Sequence, residues 1–199
     1  MQRIHLRKNI LFGILVASFL FFGHAYLFGQ NNKALELSEK EGPWIEMKSA
    51  YFNIYYKPDT NLKRLYSKLN GRGFSVALKP PVSTLTGFEA KIAYRFDMIF
   101  ARAKEILDMY PSDTHINIKI FKNRKDVYNE FCRLTRSGDE CLSFYVYAYN
   151  TIYTSEQDIS DSLIAHEIGH ALVDNYFSTT PPEKVGEILA QNVDLHLDD

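Results

Sequence analysis

The pattern of apolar and polar positions predicts short strands and amphipathic helices from about residue 50 onward. Apolar residues occupy every second position from His115 to Phe121, which predicts a half-buried strand. Between Thr86 and Met109 they recur every three or four residues, which predicts one long helix ending before Pro111. The same criteria predict a strand within 51–56, short helices at 61–69 and 123–134, two short strands within 142–154, and helices from 158–160 to 176 and from 182 or 183 to 195. This order of elements indicates one compact α+β domain.

The N-terminus has the charge and hydropathy layout of an export segment. Arg3, Arg7 and Lys8 precede a run of apolar or small residues from Ile10 to Phe22. Gly23 and Ala25 place small residues at the two positions that a signal peptidase reads, which suits cleavage of a secretory signal. Continuation of the apolar stretch to Phe28, interrupted only by His24, would instead make an uncleaved membrane anchor. Both alternatives place the rest of the chain outside the cytoplasm, because the positive charges stay inside. We therefore divide the chain into an export segment at 1–29, a polar linker at 30–48 and a folded domain at 49–199.

The charge balance argues against a nucleic-acid partner. The whole chain has a net charge of −1, but residues 26–199 hold 20 basic and 24 acidic side chains and hence a net charge of −4. One small basic cluster, around Lys119 and Lys122, does not alter this balance. Membrane attachment is expected only through an uncleaved N-terminal segment.

The chain contains two cysteines, Cys132 and Cys141, separated by a turn-like segment around Gly138. An even number of cysteines in an exported chain favours a local disulfide between them. Closure of so short a loop would stabilise the fold by about 2–3 kcal/mol in the chain-entropy model. The alternative is a pair of free thiols.

Residues 166–170 read HEIGH, an H-E-x-x-H motif within an apolar helical segment. Histidines at i and i+4 lie about 40° apart around a helix, so His166 and His170 can bind one metal ion. Glu167 points to the side, where it can hold a water molecule and act as a general base. A chain of this composition would contain only about 0.01 such motifs by chance, so the sequence predicts a metal site.

A catalytic zinc ion needs a third protein ligand. The Pro181-Pro182 break lets the last helix fold back on the motif helix, and 16 residues separate His170 from Glu187, which is the favoured ligand. Asp174 lies one helical turn beyond His170 and is better placed to accept a hydrogen bond from an imidazole than to bind the metal. The remaining alternatives for the third ligand are Glu183, Asp194 and His196.

The two motifs together resemble the gluzincin peptidases, in particular the small peptidase-MA-like family. HEIGHALV matches the motif helix of that family, and PPEKVGEILAQNV matches its proline-led second helix with a Glu-x-Leu-Ala pattern. The similarity covers about residues 50–197 and is strongest at these motifs, although Ile188 stands where the family usually has glycine. The resemblance implies Glu187 as the third ligand and Zn²⁺ as the cofactor. It also implies a zincin-like α+β fold: a small twisted mixed sheet, a long backing helix, an active-site helix and a glutamate helix.

The function implied by the resemblance is hydrolysis of peptide bonds, and the implied partner is a peptide or protein substrate. In this reaction Glu167 takes a proton from water and passes it to the leaving amine. A strand within Tyr145–Tyr153 would pair with an extended substrate. The candidates for an additional donor to the oxyanion are Tyr147, Tyr149, Tyr153 and His196.

Two other functions remain open. In peptide deformylases a cysteine ligand precedes the motif helix, as Cys141 precedes His166 here, although Gly169 stands where that family has aspartate. The stretch after the glutamate helix is short, which leaves room for an envelope binding or assembly module that keeps the zincin fold without catalysis.

Overall fold

The computed structural model describes residues 42–69, 86–112 and 114–199. The predicted export segment at 1–29 and residues 30–41 of the predicted linker lie outside these ranges. Within the described ranges, no helix has the length and apolar character needed to cross a bilayer.

Five strands form one mixed sheet at the centre of the described fold. They are β1 (Ile45–Lys48), β2 (Phe52–Tyr56), β3 (Ile116–Phe121), β4 (Phe144–Val146) and β5 (Thr151–Ser155), in the order β1-β2-β3-β5-β4. β2, β3 and β5 run parallel to one another, whereas β1 and β4 are antiparallel edge strands. Alternation in β3 turns Ile116, Ile118 and Ile120 toward the main core, as the sequence predicts.

Five α-helices are described: α1 (Leu62–Leu69), α2 (Gly87–Leu107), α3 (Arg124–Thr135), α4 (Asp161–Tyr176) and α5 (Glu183–Leu195). Residues of α1, α2, α4 and α5 pack with one face of the sheet into the main core. A smaller apolar cluster joins Val127 and Phe131 of α3 to the opposite face at Phe121 and Tyr153. The predicted mixed sheet with flanking helices is therefore confirmed at this level, and a zincin-like arrangement remains a prediction.

The predicted linker differs from the structure at its C-terminal end, where Ile45–Lys48 forms β1. Only Met47 of this strand is buried, and its neighbours Glu46 and Lys48 face solvent. A four-residue edge strand with one buried side chain carries too few apolar positions to show periodicity, which explains why the sequence pattern predicts a linker there.

The two cysteines are free thiols in the structure, which differs from the expected disulfide, and the pairing stays a prediction. Cys132 lies in the last turn of α3, and the chain leaves that helix through Arg136, whose left-handed backbone (φ 58°) lets its N–H bond to the Cys132 carbonyl. Cys141 is buried in the smaller apolar cluster beside Phe131 and Phe144. The segment between the two cysteines thus begins at a helix cap and ends in the smaller apolar cluster.

A buried ion pair fixes the beginning of α4 against α2. Arg95 donates two hydrogen bonds to Asp161, of 3.1 and 2.8 Å, and a third of 2.7 Å to the Leu69 carbonyl. Both charged side chains are buried, so each depends on the other for its charge compensation. Ser160 caps the same helix by accepting a hydrogen bond from the Leu163 N–H. Together these contacts anchor the helix that carries the H-E-x-x-H motif.

Candidate metal centre

The motif helix α4 is buried along most of its length because it packs among α2, α5 and the sheet. Ile164, Ile168 and Leu172 belong to the main core, so the histidines of this helix are held on a rigid support. His166 and Glu167 are buried, and His170 is partly buried.

Three predicted ligands converge on one point. The Nε2 atoms of His166 and His170 lie 3.2 Å apart. Glu187 of α5 places Oε1 3.2 Å from Nε2 of His170 and Oε2 3.8 Å from Nε2 of His166. One ligand atom from each residue lies within 4.8 Å of the other two, so this group could hold a metal ion.

Glycine at position 169 permits the close approach of α4 and α5. A Cβ atom at Gly169 would lie 2.7 Å from the Cα of Ala190, closer than real Cβ contacts allow. Because Ala190 lies one turn beyond Glu187 on α5, this close packing also determines how far the Glu187 carboxylate reaches toward the histidines.

Burial and charge act differently on the two imidazoles. Burial lowers the pKa of His166 below its usual value, although nearby carboxylates oppose this effect. Burial would also lower the pKa of His170, but the hydrogen bond to Glu187 and the surrounding negative charge outweigh it and raise that pKa. Metal binding at this nitrogen would therefore compete with the proton that the neighbouring carboxylates favour on His170.

Glu167 is not part of the three-residue cluster but lies against it. The residue is 1% exposed, and its negative charge favours the protonated form of both histidines, although the pKa of His166 stays below its usual value. Oε1 accepts a hydrogen bond of 2.6 Å from the hydroxyl of Ser143, which is itself 2% exposed. No local sequence pattern indicates Ser143, because its contact with Glu167 depends on the placement of β4 beside α4.

Asp174 is half-buried near His170, as predicted, and its charge raises the pKa of that imidazole. Within the described part of the chain, however, no hydrogen bond joins Asp174 to either histidine. Burial raises the pKa of Asp174 to about 6, an effect that His170 partly opposes. The negative charge of Asp194 favours the protonated form of His166, against the larger effect of burial. The Asp194 carboxylate also accepts a hydrogen bond from Ser162 of α4.

The other sequence candidates lie apart from the three-residue cluster. Glu183 is exposed at the first turn of α5, and His196 is exposed with its Nδ1 2.5 Å from an Asp199 oxygen. Tyr153 is stacked on Phe144 in the smaller apolar cluster, with 4.7 Å between ring centroids. Tyr147 and Tyr149 are 60% and 52% exposed in the turn between β4 and β5. Among the described residues, the cluster does not include Cys141, the ligand that a deformylase would need.

Comparisons with protein families, curated proteins and solved structures found no match to this chain. The geometry of the cluster and the chemistry of its residues are therefore the basis for assigning a function.

Proposed function

We propose that this chain is a zinc-dependent metallopeptidase of the gluzincin type that hydrolyses peptide bonds outside the cytoplasm. One observation carries the proposal: two imidazole nitrogens and a carboxylate converge on one point, and a buried glutamate follows the first histidine on the same helix. Zinc sites that catalyse hydrolysis use three protein ligands of these kinds and leave a fourth position for water or substrate.

The distances within the cluster support zinc as the metal. A tetrahedral zinc ion about 2.0–2.1 Å from its ligands separates the ligand atoms by about 3.4 Å. The two imidazole nitrogens lie 3.2 Å apart, Oε1 of Glu187 lies 3.2 Å from the His170 nitrogen, and the other oxygen, Oε2, lies 3.8 Å from the His166 nitrogen. Nitrogen and carboxylate donors together also suit zinc better than magnesium or calcium, which prefer oxygen ligands.

The proposed reaction gives each residue a role. His166, His170 and Glu187 hold the ion, which when bound polarises the substrate carbonyl and lowers the pKa of a water molecule toward about 7. Glu167 accepts a proton from the attacking water and passes it to the leaving amine. The apolar surroundings of α4 exclude bulk water and strengthen the electrostatic interactions of the site.

The edge strand β4 suits an extended peptide as the substrate. β4 ends the strand order of the described sheet, and Ser143, directly before it, contacts Glu167. A peptide added along β4 would form main-chain hydrogen bonds and pass beside the general base. Location outside the cytoplasm is proposed from the basic and apolar N-terminal residues alone.

Activity of the full zinc-loaded chain on fluorescently labelled casein tests the proposal. Glu167→Gln removes the general base but preserves the shape of the side chain, so we expect zinc content to remain and hydrolysis to fall about 10²–10⁴-fold. Glu183→Gln, an exposed change on α5, is the matched control and should hydrolyse casein at the parent rate. Zinc-free parent protein would contradict the site, and zinc without hydrolysis would favour the non-catalytic envelope module.

A further inference from the structure

Ser143 connects the edge of the sheet to the motif helix through one short hydrogen bond. Its hydroxyl lies 2.6 Å from Oε1 of Glu167, and both side chains are buried. The serine hydroxyl is the donor and the carboxylate oxygen is the acceptor. An O–H···O⁻ bond of this length is among the stronger hydrogen bonds in proteins.

The position of Ser143 is determined by β4 rather than by α4. The next residue, Phe144, stacks on Tyr153 of β5 and also contacts the ring of Phe131 on α3. Phe144 pairs with Tyr153 in the antiparallel register of β4 and β5. The serine hydroxyl is therefore presented to Glu167 from a rigid support on the other side of the site.

A general base must aim one oxygen at the water molecule that it deprotonates. Ser143 donates its hydrogen bond to Oε1, and within the described residues it is the one hydrogen-bond donor to the Glu167 side chain. A carboxylate held through one oxygen loses its freedom to rotate about the last side-chain bond, and its second oxygen keeps one direction. Orientation of this kind lowers the barrier of a proton transfer without strengthening substrate binding.

We propose that Ser143 is a positioning residue for Glu167: it holds Oε1 so that Oε2 is aimed at the attacking water. The inference rests on the proposed peptidase function and adds a residue that neither the H-E-x-x-H motif nor the glutamate helix supplies. It predicts that loss of the hydroxyl affects turnover and leaves metal binding and substrate affinity unchanged.

The first test compares casein hydrolysis by three variants of the full zinc-loaded chain. Ser143→Ala should lower kcat roughly 10–100-fold, with KM within about twofold of the parent and the same zinc content. Ser143→Thr keeps a hydroxyl and should recover most of the turnover lost in Ser143→Ala. The matched control is Ser155→Ala, which removes another buried serine hydroxyl, one that bonds to Asp158. A parental kcat in Ser143→Ala, or an equal loss in Ser155→Ala, would overturn the proposal.

The second test does not depend on activity. Thermal unfolding of the metal-free parent, Ser143→Ala, Glu167→Ala and the double variant forms a double-mutant cycle. We expect the Tm losses of the single changes to be strongly non-additive, because either change removes the same hydrogen bond. Additive losses would overturn the proposal. If the parent hydrolyses nothing, the proposed function fails, and this cycle alone decides whether Ser143 holds Glu167.

Discussion

Asp174 occupies a half-buried position one turn beyond His170, where its carboxylate is poorly solvated. Burial raises the pKa of this group from 3.8 to about 6. The folded state therefore binds the proton more tightly than the unfolded state does. The stability associated with that proton is present at low pH and is lost as the pH rises through about 6.

Replacement of Asp174 by asparagine removes this pH dependence. Between about pH 4 and pH 6.5, the free energy of unfolding of the metal-free parent should fall relative to that of Asp174→Asn. Chemical denaturation at a series of pH values measures the difference. The opposite result is a free energy of unfolding that rises with pH in the parent relative to Asp174→Asn. It would show that an imidazole stabilises the ionised carboxylate, as expected if Asp174 accepts a hydrogen bond from a histidine.

The environment of the Cys141 thiol leads to a second prediction that can be measured. Burial, with smaller contributions from Glu167 and Cys132, raises its pKa to about 12. Because the thiolate is the reactive form, native Cys141 should react with iodoacetamide far more slowly than the same residue in the unfolded chain. Peptide mass spectrometry without reductant provides the measurement. A linked pair of peptides containing Cys132 and Cys141 would instead confirm the disulfide prediction.

At the scale of residues, the sequence predicts local relationships and misses distant ones. His166 and His170 could be predicted as a pair because their spacing on one helix fixes their separation. Glu187 could be predicted because a proline break and a short connection return the next helix to the same place. Ser143 lies 24 residues from Glu167, and its contact depends on the strand order, which no local spacing encodes.

The packing of α4 against α5 is the relationship between elements on which the cluster depends. α4 supplies two of the proposed ligands and α5 supplies the third. The two helices approach closely at Gly169, where no side chain separates them from Ala190. A change in their spacing would move Glu187 relative to both histidines.

Gly169→Ala tests this dependence. Alanine has the higher helix propensity by about 1 kcal/mol, but its Cβ would lie 2.7 Å from the Ala190 Cα. We expect a net destabilisation of about 1–3 kcal/mol and weaker zinc binding, measured by denaturation and by competition with a chromophoric chelator. Gly138→Ala is the control, because its Cβ would meet only the Tyr128 hydroxyl at 3.9 Å. Unchanged zinc affinity in Gly169→Ala would contradict the argument.

The elements themselves follow their hydrophobic pattern where that pattern is long. The long helix α2 and the alternating strand β3 agree with the sequence to within a few residues. β1 was missed because a four-residue strand with one buried side chain has no readable period. β1 forms because it pairs with β2 in the assembled sheet, and local strand propensity does not predict such pairing.

At the scale of the whole molecule, the two consecutive helices that supply the cluster are anchored by elements that are distant in the chain. The Arg95–Asp161 pair ties α2 to the start of α4, and α5 closes over the other side of α4. A ligand that binds only this folded arrangement stabilises the whole domain.

Zinc should therefore raise the thermal stability of the full chain. At a free zinc concentration 100 times the dissociation constant, the gain is about 2.7 kcal/mol. For a domain of this size that gain corresponds to a rise in Tm of roughly 5–10 °C. Differential scanning calorimetry with zinc and then with excess EDTA measures the shift and its reversal. An identical Tm in zinc and in EDTA would contradict the prediction.

The central claim is that His166, His170 and Glu187, brought together from two helices, hold one zinc ion. The most direct measurement is the zinc affinity of the full chain and of two matched variants on α5, Glu187→Gln and Glu183→Gln, by competition with a chromophoric chelator. We predict one zinc ion per parent chain, the same affinity in Glu183→Gln, and a loss of more than about 100-fold in Glu187→Gln. Equal zinc affinity in the two variants, or no zinc binding by the parent, would contradict it.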